Sequence, residues 1–194
     1  MAFVSELKRT HYCGELGLDQ KDETVILMGW VNNRRDHGGL VFVDLRDREG
    51  LVQIVMDPAK EKTAVAKKVR NEFVLGIKGK VIARPDGMIN EKMKTGTVEI
   101  EVEECEILAE AETPPFVVGD PNVSEAVRLK YRYLSLRNPE LQRCMKLRHE
   151  VTKVARDFLN DEGFWEIETP ILYKSTPEGA RDYLVPSLVI QGDF

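Results

Sequence analysis

A small closed β-barrel carrying one helix, followed across a linker by a helix-led second domain, is the fold class this sequence predicts. Three observations predict it. Residues 1–108 hold five apolar runs of strand length separated by turn chemistry. One stretch of helix formers lies between the third and fourth runs. A cluster of prolines and glycines then interrupts the pattern, and apolar residues resume at helical spacing. A chain of 194 residues, 42% of them hydrophobic, is long enough for one small domain plus part of another.

The elements follow in order. "VILMGWV" (25–31) reads as the first strand, with "NNRRDHGG" after it as a polar loop. "LVFVDLR" (40–46) runs through "DREG" into "LVQIVM" (51–56), a hairpin signal. "PAKEKTAVAKKVRN" (58–71) begins with Pro58 at a helix start. "FVLGIKGKVIA" (73–83), a loop from Pro85 to Gly96, and "TVEIEVEECEIL" (97–108) complete the barrel. Three strands, a helix and two strands is the order of an OB-fold, a barrel that commonly binds oligonucleotides on one sheet face. A small barrel without a ligand has the same order.

Residues 109–139 read as a linker or hinge, with Pro114, Pro115, Gly119 and Pro121 as breakers. From 140 a second domain begins. Asn138 and Pro139 suit the N-cap and first turn of a helix, and Gly163 suits its end. Leu147, Val151, Val154, Ala155, Phe158 and Leu159 recur on one face of it. "FWEIETPIL" is strand-like, with Pro170 confining part of it to an edge or bend.

The net charge of −5 argues against indiscriminate nucleic-acid binding, but the charge is segregated. Glu99 to Glu125 contains nine acids and no lysine or arginine, whereas Arg128 to Arg156 contains nine bases against Glu140 and Glu150. Two solvated surfaces, or a basic stretch facing a polyanion, both fit this pattern. No apolar run is long enough to cross a bilayer, and the N-terminus is unlike a signal peptide. Cysteines at 13, 105 and 144 lack ligand spacing and suit reduced thiols in the cytoplasm. The dispersed histidines suggest no metal site.

Strand alternation places Val41, Val43 and Leu45 on one face and Phe42, Asp44 and Arg46 on the other. With Val52, Ile54 and Met56 inward, Gln53 turns outward. A ring, an amide and the guanidinium groups of Arg34 and Arg35 would then share an open face. That chemistry suits a single strand: a ring to stack a base, an amide for its edge, guanidinium for phosphate. Alternatively, Phe42 packs beneath the N-terminal segment and the arginines are solvated.

"GWVNNRRDHGGLVFVDLRDREGLVQIVMDP", "EAVRLKYRYLSLRNPELQ", "GFWEIETPIL" and "TPEGARDYLVPS" together closely resemble bacterial-type aspartyl-tRNA synthetase, over essentially the whole chain. The resemblance implies an OB-fold anticodon-binding domain, a hinge, and an incomplete α+β class II catalytic domain. Phe42 matches the ring that stacks on the middle anticodon base, and Gln53 the amide that reads it. Arg35 and Glu99 match readers of the first base, and Asn90 lies in a loop approaching the anticodon. His37 and Met88 fall in loops where members that charge the aspartate tRNA alone would be told from those that also accept the asparagine tRNA. The helix ending at Gly163 resembles class II motif one, implying a homodimer interface with Phe158 on its apolar face and Pro170 at the strand junction. Glu178 matches a residue of the aspartate pocket.

Departures accompany these matches. Where the family continues S-R-V-x-x-G-K-F, this chain has "SLVIQGDF", with Leu188 and Asp193 at the basic positions. Motifs two and three, with the arginines that serve ATP and Mg²⁺ in the family, are not in the sequence. No glycine-rich phosphate loop stands in for them. The expectation is therefore an N-terminal part of an aspartate–tRNA ligase that binds tRNA, holds no cofactor of its own and does not activate aspartate. A freestanding anticodon-binding module, or a dimerisation partner for a longer synthetase, is the alternative.

Overall fold

The computed structural model describes residues 8–171 and 185–186. The chain divides into two compact units, Met1–Val117 and Val118–Phe194. The division falls inside the stretch expected to link two domains.

The first unit is a closed five-stranded barrel in the order β1-β2-β3-β5-β4. Its strands are β1 (Thr24–His37), β2 (Leu40–Arg46), β3 (Leu51–Met56), β4 (Val74–Ala83) and β5 (Val98–Ala109). Neighbours pair antiparallel except β3 and β5, which run parallel through Ile54↔Ile100 and Val55↔Glu101. This is an OB-fold. The first half of β1 pairs with β4 and the second half with β2, with a bulge between Val31 and Asn33. A bulge sharpens local twist, which lets one strand serve both neighbours and close the barrel.

Alternation predicted the core correctly. Val41, Val43, Leu45, Val52, Ile54 and Met56 are all buried, joined by Leu27, Leu75, Ile77 and Ile100. Two expectations about elements of the barrel need correction. The segment "NNRRDHGG" is mostly strand: β1 continues to His37 and turns at Gly38 and Gly39, both at positive φ (59° and 82°). Two such residues in succession make the tight turn whose twist matches a hairpin. Beyond the bulge this part of β1 lies at the surface, so polar side chains do not disqualify it as a strand.

The helix expected over 58–71 is a 3₁₀ helix over Glu61–Lys67 only. Asp57 diverts the preceding residues into a turn by accepting from Ala59 N (2.9 Å). The Thr63 hydroxyl donates back to the Asp57 carbonyl, competing with a regular helical ladder. Ala66 and Val69 still reach the core.

In the second unit, α1 (Glu125–Lys130) and α2 (Arg132–Ser135) occupy sequence read as linker, and α3 spans Pro139–Asp161. Asn138 caps α3 as expected: its side-chain oxygen accepts from Glu140 N at 2.8 Å, with Pro139 in the first turn. Gly163, at φ 84°, follows its end. Over its described residues, 164–171, the strand expected from "FWEIETPIL" is not formed, and Pro170 is exposed outside any strand. A strand needs a neighbour to take its backbone hydrogen bonds, and the described residues of this unit supply none. Glu166 is instead tied to Arg156 by bonds of 2.7–3.1 Å.

Candidate nucleic-acid interface

The outward side of β1-β2-β3 carries Arg35, Phe42 and Gln53 of the residues singled out from the sequence. Phe42 is half-buried and stands opposite Arg35 on β1 and Val55 on β3. It is therefore a surface ring on the barrel wall, outside the buried core. One row along, Asp44 pairs with Gln53. These two rows place a stacking surface beside a polar cluster.

The cluster is connected. Arg35 Nη2 donates to Asp44 Oδ1 at 3.0 Å and to Gln53 Oε1 at 3.2 Å. Gln53 Nε2 donates to Glu99 Oε2 at 2.8 Å. Arg84 Nε donates to the Val98 carbonyl at 3.1 Å and lies 3.9 Å from the same Glu99 oxygen. Gln53 is thus gripped at both ends of its amide, by a cation at its oxygen and an anion at its nitrogen. An amide nitrogen has two protons and the oxygen two lone pairs. One of each is engaged internally, which leaves a second proton and a second lone pair on a held amide that is itself only 9% exposed. A base edge presenting the complementary pair would meet a group that has already lost its rotamer freedom.

Arg34 departs from expectation. It does not join Arg35 on this face; its Nη1 donates to Asp36 at 2.7 Å, while its buried Nε has no partner. Adjacent strand residues point to opposite sides, and Arg34 takes the other one. Asn90 stands apart from the cluster: its side-chain oxygen accepts from Lys92 N at 3.1 Å, and its loop is tied by Asn90 N to the Gly96 carbonyl at 3.1 Å. A side chain on Gly96 would bring its Cβ within 1.9 Å of the Asn90 carbonyl oxygen, so this loop requires glycine there. His37 lies at the β1–β2 turn, and Met88 is exposed in the β4–β5 loop.

Sequence reasoning missed Asp44 and Arg84 as members of the cluster. Asp44 was legible by its alternation with Phe42. Arg84 was not, because only the register Ala83↔Val98 brings it beside Glu99. Glu178, expected at an aspartate pocket, lies outside the described residues. Phe158 is exposed on α3, with Leu147, Val151 and Val154.

A closed barrel of this topology places the first unit in the OB-fold class, and the second unit begins with helices. Residues 25–108 match the family described as OB-fold nucleic acid binding domain. Residues 124–194 match the tRNA synthetases class II (D, K and N). The chain is 59% identical to the aspartate–tRNA(Asp/Asn) ligase of Geobacillus sp. (strain WCH70), over 96% of this chain and 32% of that protein. It is 55% identical to the aspartate–tRNA ligase of Bacillus licheniformis, again over 96% and 32%. Among solved structures, aspartyl-tRNA synthetase from Entamoeba histolytica aligns with a TM-score of 0.77 at 25% identity, over 89% of this chain and 42% of that one. Asparaginyl-tRNA synthetase from Pyrococcus horikoshii aligns at 0.72 and 27%, over 85% and 37%. The chain belongs with the bacterial aspartyl-tRNA synthetases, matching their N-terminal portion, and spans about a third of the length of the curated relatives it matches.

Proposed function

We propose that this chain is the tRNA-reading portion of an aspartate–tRNA ligase, with the open face of the barrel binding the anticodon loop. The observation that carries the reading is the Arg35–Gln53–Glu99 chain beside Phe42. In this account Phe42 stacks on the middle anticodon base, and the free donor and acceptor of Gln53 read its edge. Arg35 and Glu99 hold that amide and flank the site of the first base. Asn90 approaches from the β4–β5 loop.

Stacking tolerates any base, so Phe42 supplies affinity, whereas the oriented amide supplies discrimination. Relatives named aspartate–tRNA(Asp/Asn) ligase and aspartate–tRNA ligase occur at similar identity, 59% and 55%. His37 and Met88 are the residues proposed to separate the two.

The ligase reaction, which in the family consumes ATP with Mg²⁺, is proposed for the longer enzyme. Glu178 is its proposed aspartate-binding contribution from this chain. Among the described residues, no group of three or more His, Cys, Asp or Glu converges to hold a metal. The apolar face of α3 is proposed to pair with a second copy. Work in the cytoplasm is proposed with the ligase reaction; no described helix is long and apolar enough to cross a membrane.

The test is a titration of fluorescent anticodon stem-loops that differ at one anticodon base. Gln53→Ala should flatten the preference at the middle base while leaving the barrel folded. An unchanged preference profile would refute the reading.

A further inference from the structure

An open cleft of about 810 Å³ lies between the 3₁₀ helix and the segment leaving β5. Arg34, Lys67, Lys68 and Arg70 line it, with Glu110 and Glu112 on the departing segment. The cations of this region fall into two groups. Lys60 and Lys62 are neutralised from β5, by Glu101 at 3.7 Å and Glu104 at 2.6 Å. The side chains of Lys67, Lys68 and Arg70 have no hydrogen bond or ion pair among the described residues.

Exposed lysines are ordinarily just solvated. Two further features argue for more here. The unpaired cations are gathered in a concavity and outnumber its two carboxylates, Glu110 and Glu112, so their field is net positive. Beside them, the Arg34 Nε is buried with no acceptor, a costly state that an incoming oxygen would relieve. Phe73, the ring at this cleft, is only 5% exposed. Charge without an available ring suits phosphate and offers no platform for a base.

The cleft also adjoins the reading face. Arg34 and Arg35 are successive residues of β1, about 3.4 Å apart along the strand. One belongs to the cleft and the other grips Gln53. The two regions are therefore joined through consecutive residues of one strand.

We propose that this cleft is a second RNA site, holding the phosphodiester backbone of the base-paired stem that flanks the loop. The proposal rests on the anticodon-loop reading of the open face and adds a sequence-independent anchor to it. Lys67, Lys68 and Arg70 supply the charge, and Arg34 ties the anchor to the reading strand.

The experiment uses the 194-residue chain, a triple variant (Lys67→Gln, Lys68→Gln, Arg70→Gln) and Phe42→Ala. Each is titrated with two RNAs over a range of salt: a full anticodon stem-loop and the loop sequence alone as a single strand. All three side chains are exposed, so the triple variant should keep the circular dichroism and melting temperature of the parent. It should bind the stem-loop about tenfold or more weaker, with a salt slope smaller by about two to three. Its affinity for the single strand should be unchanged. Wild-type affinity and slope for the stem-loop, with Phe42→Ala still weakened, overturns the cleft and leaves the reading face standing. Equal weakening for both RNAs also overturns it, because the charge would then serve the loop or act at long range. If Phe42→Ala binds the single strand normally, the reading face falls and the cleft proposal with it.

Discussion

Gln53 hands a hydrogen bond to Glu99 across 46 positions of sequence, Nε2 to Oε2 at 2.8 Å. The contact joins β3 to β5 beside the one parallel pairing in the barrel. Glu99 also faces Arg84, whose side chain is 5% exposed. One carboxylate thus orients the amide and partly offsets a buried guanidinium. Glu99→Gln should therefore do two things at once. Weakening a charged hydrogen bond in this setting costs roughly 1–3 kcal/mol, and the Gln53 amide becomes free to rotate. Urea denaturation should show the lost stability, and stem-loop titration should show reduced selectivity at the anticodon. A variant as stable and as selective as the parent would mean that Glu99 does not position Gln53.

Phe42 and Ile54 provide a contrast within the same sheet. Ile54 is fully buried, whereas Phe42 is half-buried on the outer wall. Ile54→Ala should cost about 2–5 kcal/mol of stability, because a cavity remains in a packed core. Phe42→Ala should cost less stability than this and more binding. Loss of one stacked base, roughly 1–3 kcal/mol, corresponds to about tenfold or more in affinity. The two variants should separate cleanly when melting and RNA titration are measured together. Should Phe42→Ala unfold the barrel as readily as Ile54→Ala, the ring is a packing residue.

Most of the barrel was legible because its strands are half-buried, and half-burial writes a period of two into the sequence. Val41, Val43 and Leu45 against Phe42, Asp44 and Arg46 is such a record. The outer half of β1 was not legible. Asn33 to His37 are polar, and the pairing with β2 depends on a bulge and a two-glycine turn. The short 3₁₀ helix was over-read because Thr63 and Asp57 consume hydrogen bonds that helix-forming composition implies are free. For the site, alternation predicted that Phe42 and Gln53 would share a face. Arg84 needed the register of β4 on β5, which no local pattern encodes. The strand expected near Pro170 failed for the opposite reason: its local pattern is strand-like, but pairing requires a neighbour.

The thiols should respond differently to alkylation and to pH. Burial, with the Glu106 carboxylate nearby, pushes the Cys105 thiol up to about 12 from an ordinary 9.0. Burial raises Cys13 as well, and the Asp47 carboxylate adds to it. Cys144 is exposed on α3. At pH 8, iodoacetamide should label Cys144 alone in the native chain and all three cysteines after unfolding. For stability, the folded state holds the Cys105 proton more tightly than the unfolded state does. The contribution is fully present below about pH 9 and is lost as pH rises towards about 12. Cys105→Ala should flatten the decline of stability over that interval, read from urea midpoints at successive pH values. An equally steep decline in the variant would remove Cys105 as its cause.

The apolar stripe of α3 gives the last prediction. Leu147, Val151, Val154 and Phe158 are each 60–66% exposed and recur at intervals of four, three and four. A contiguous exposed face of this kind drives association. It is flanked by charged side chains that are already paired within the helix, Lys146 with Glu150 and Lys153 with Asp157. Those pairs are exposed and contribute little by themselves, so association should depend on the apolar face and only weakly on salt. Sedimentation of the chain at rising concentration should show a dimer. Placing a charge in the middle of the stripe, Val154→Glu, should shift the population to monomer. The barrel is a separate compact unit, so the same variant should retain the binding of a single-stranded anticodon loop. A Val154→Glu chain that still dimerises would show that the second copy docks elsewhere. A parent chain monomeric at every concentration would remove self-association as the role of this face.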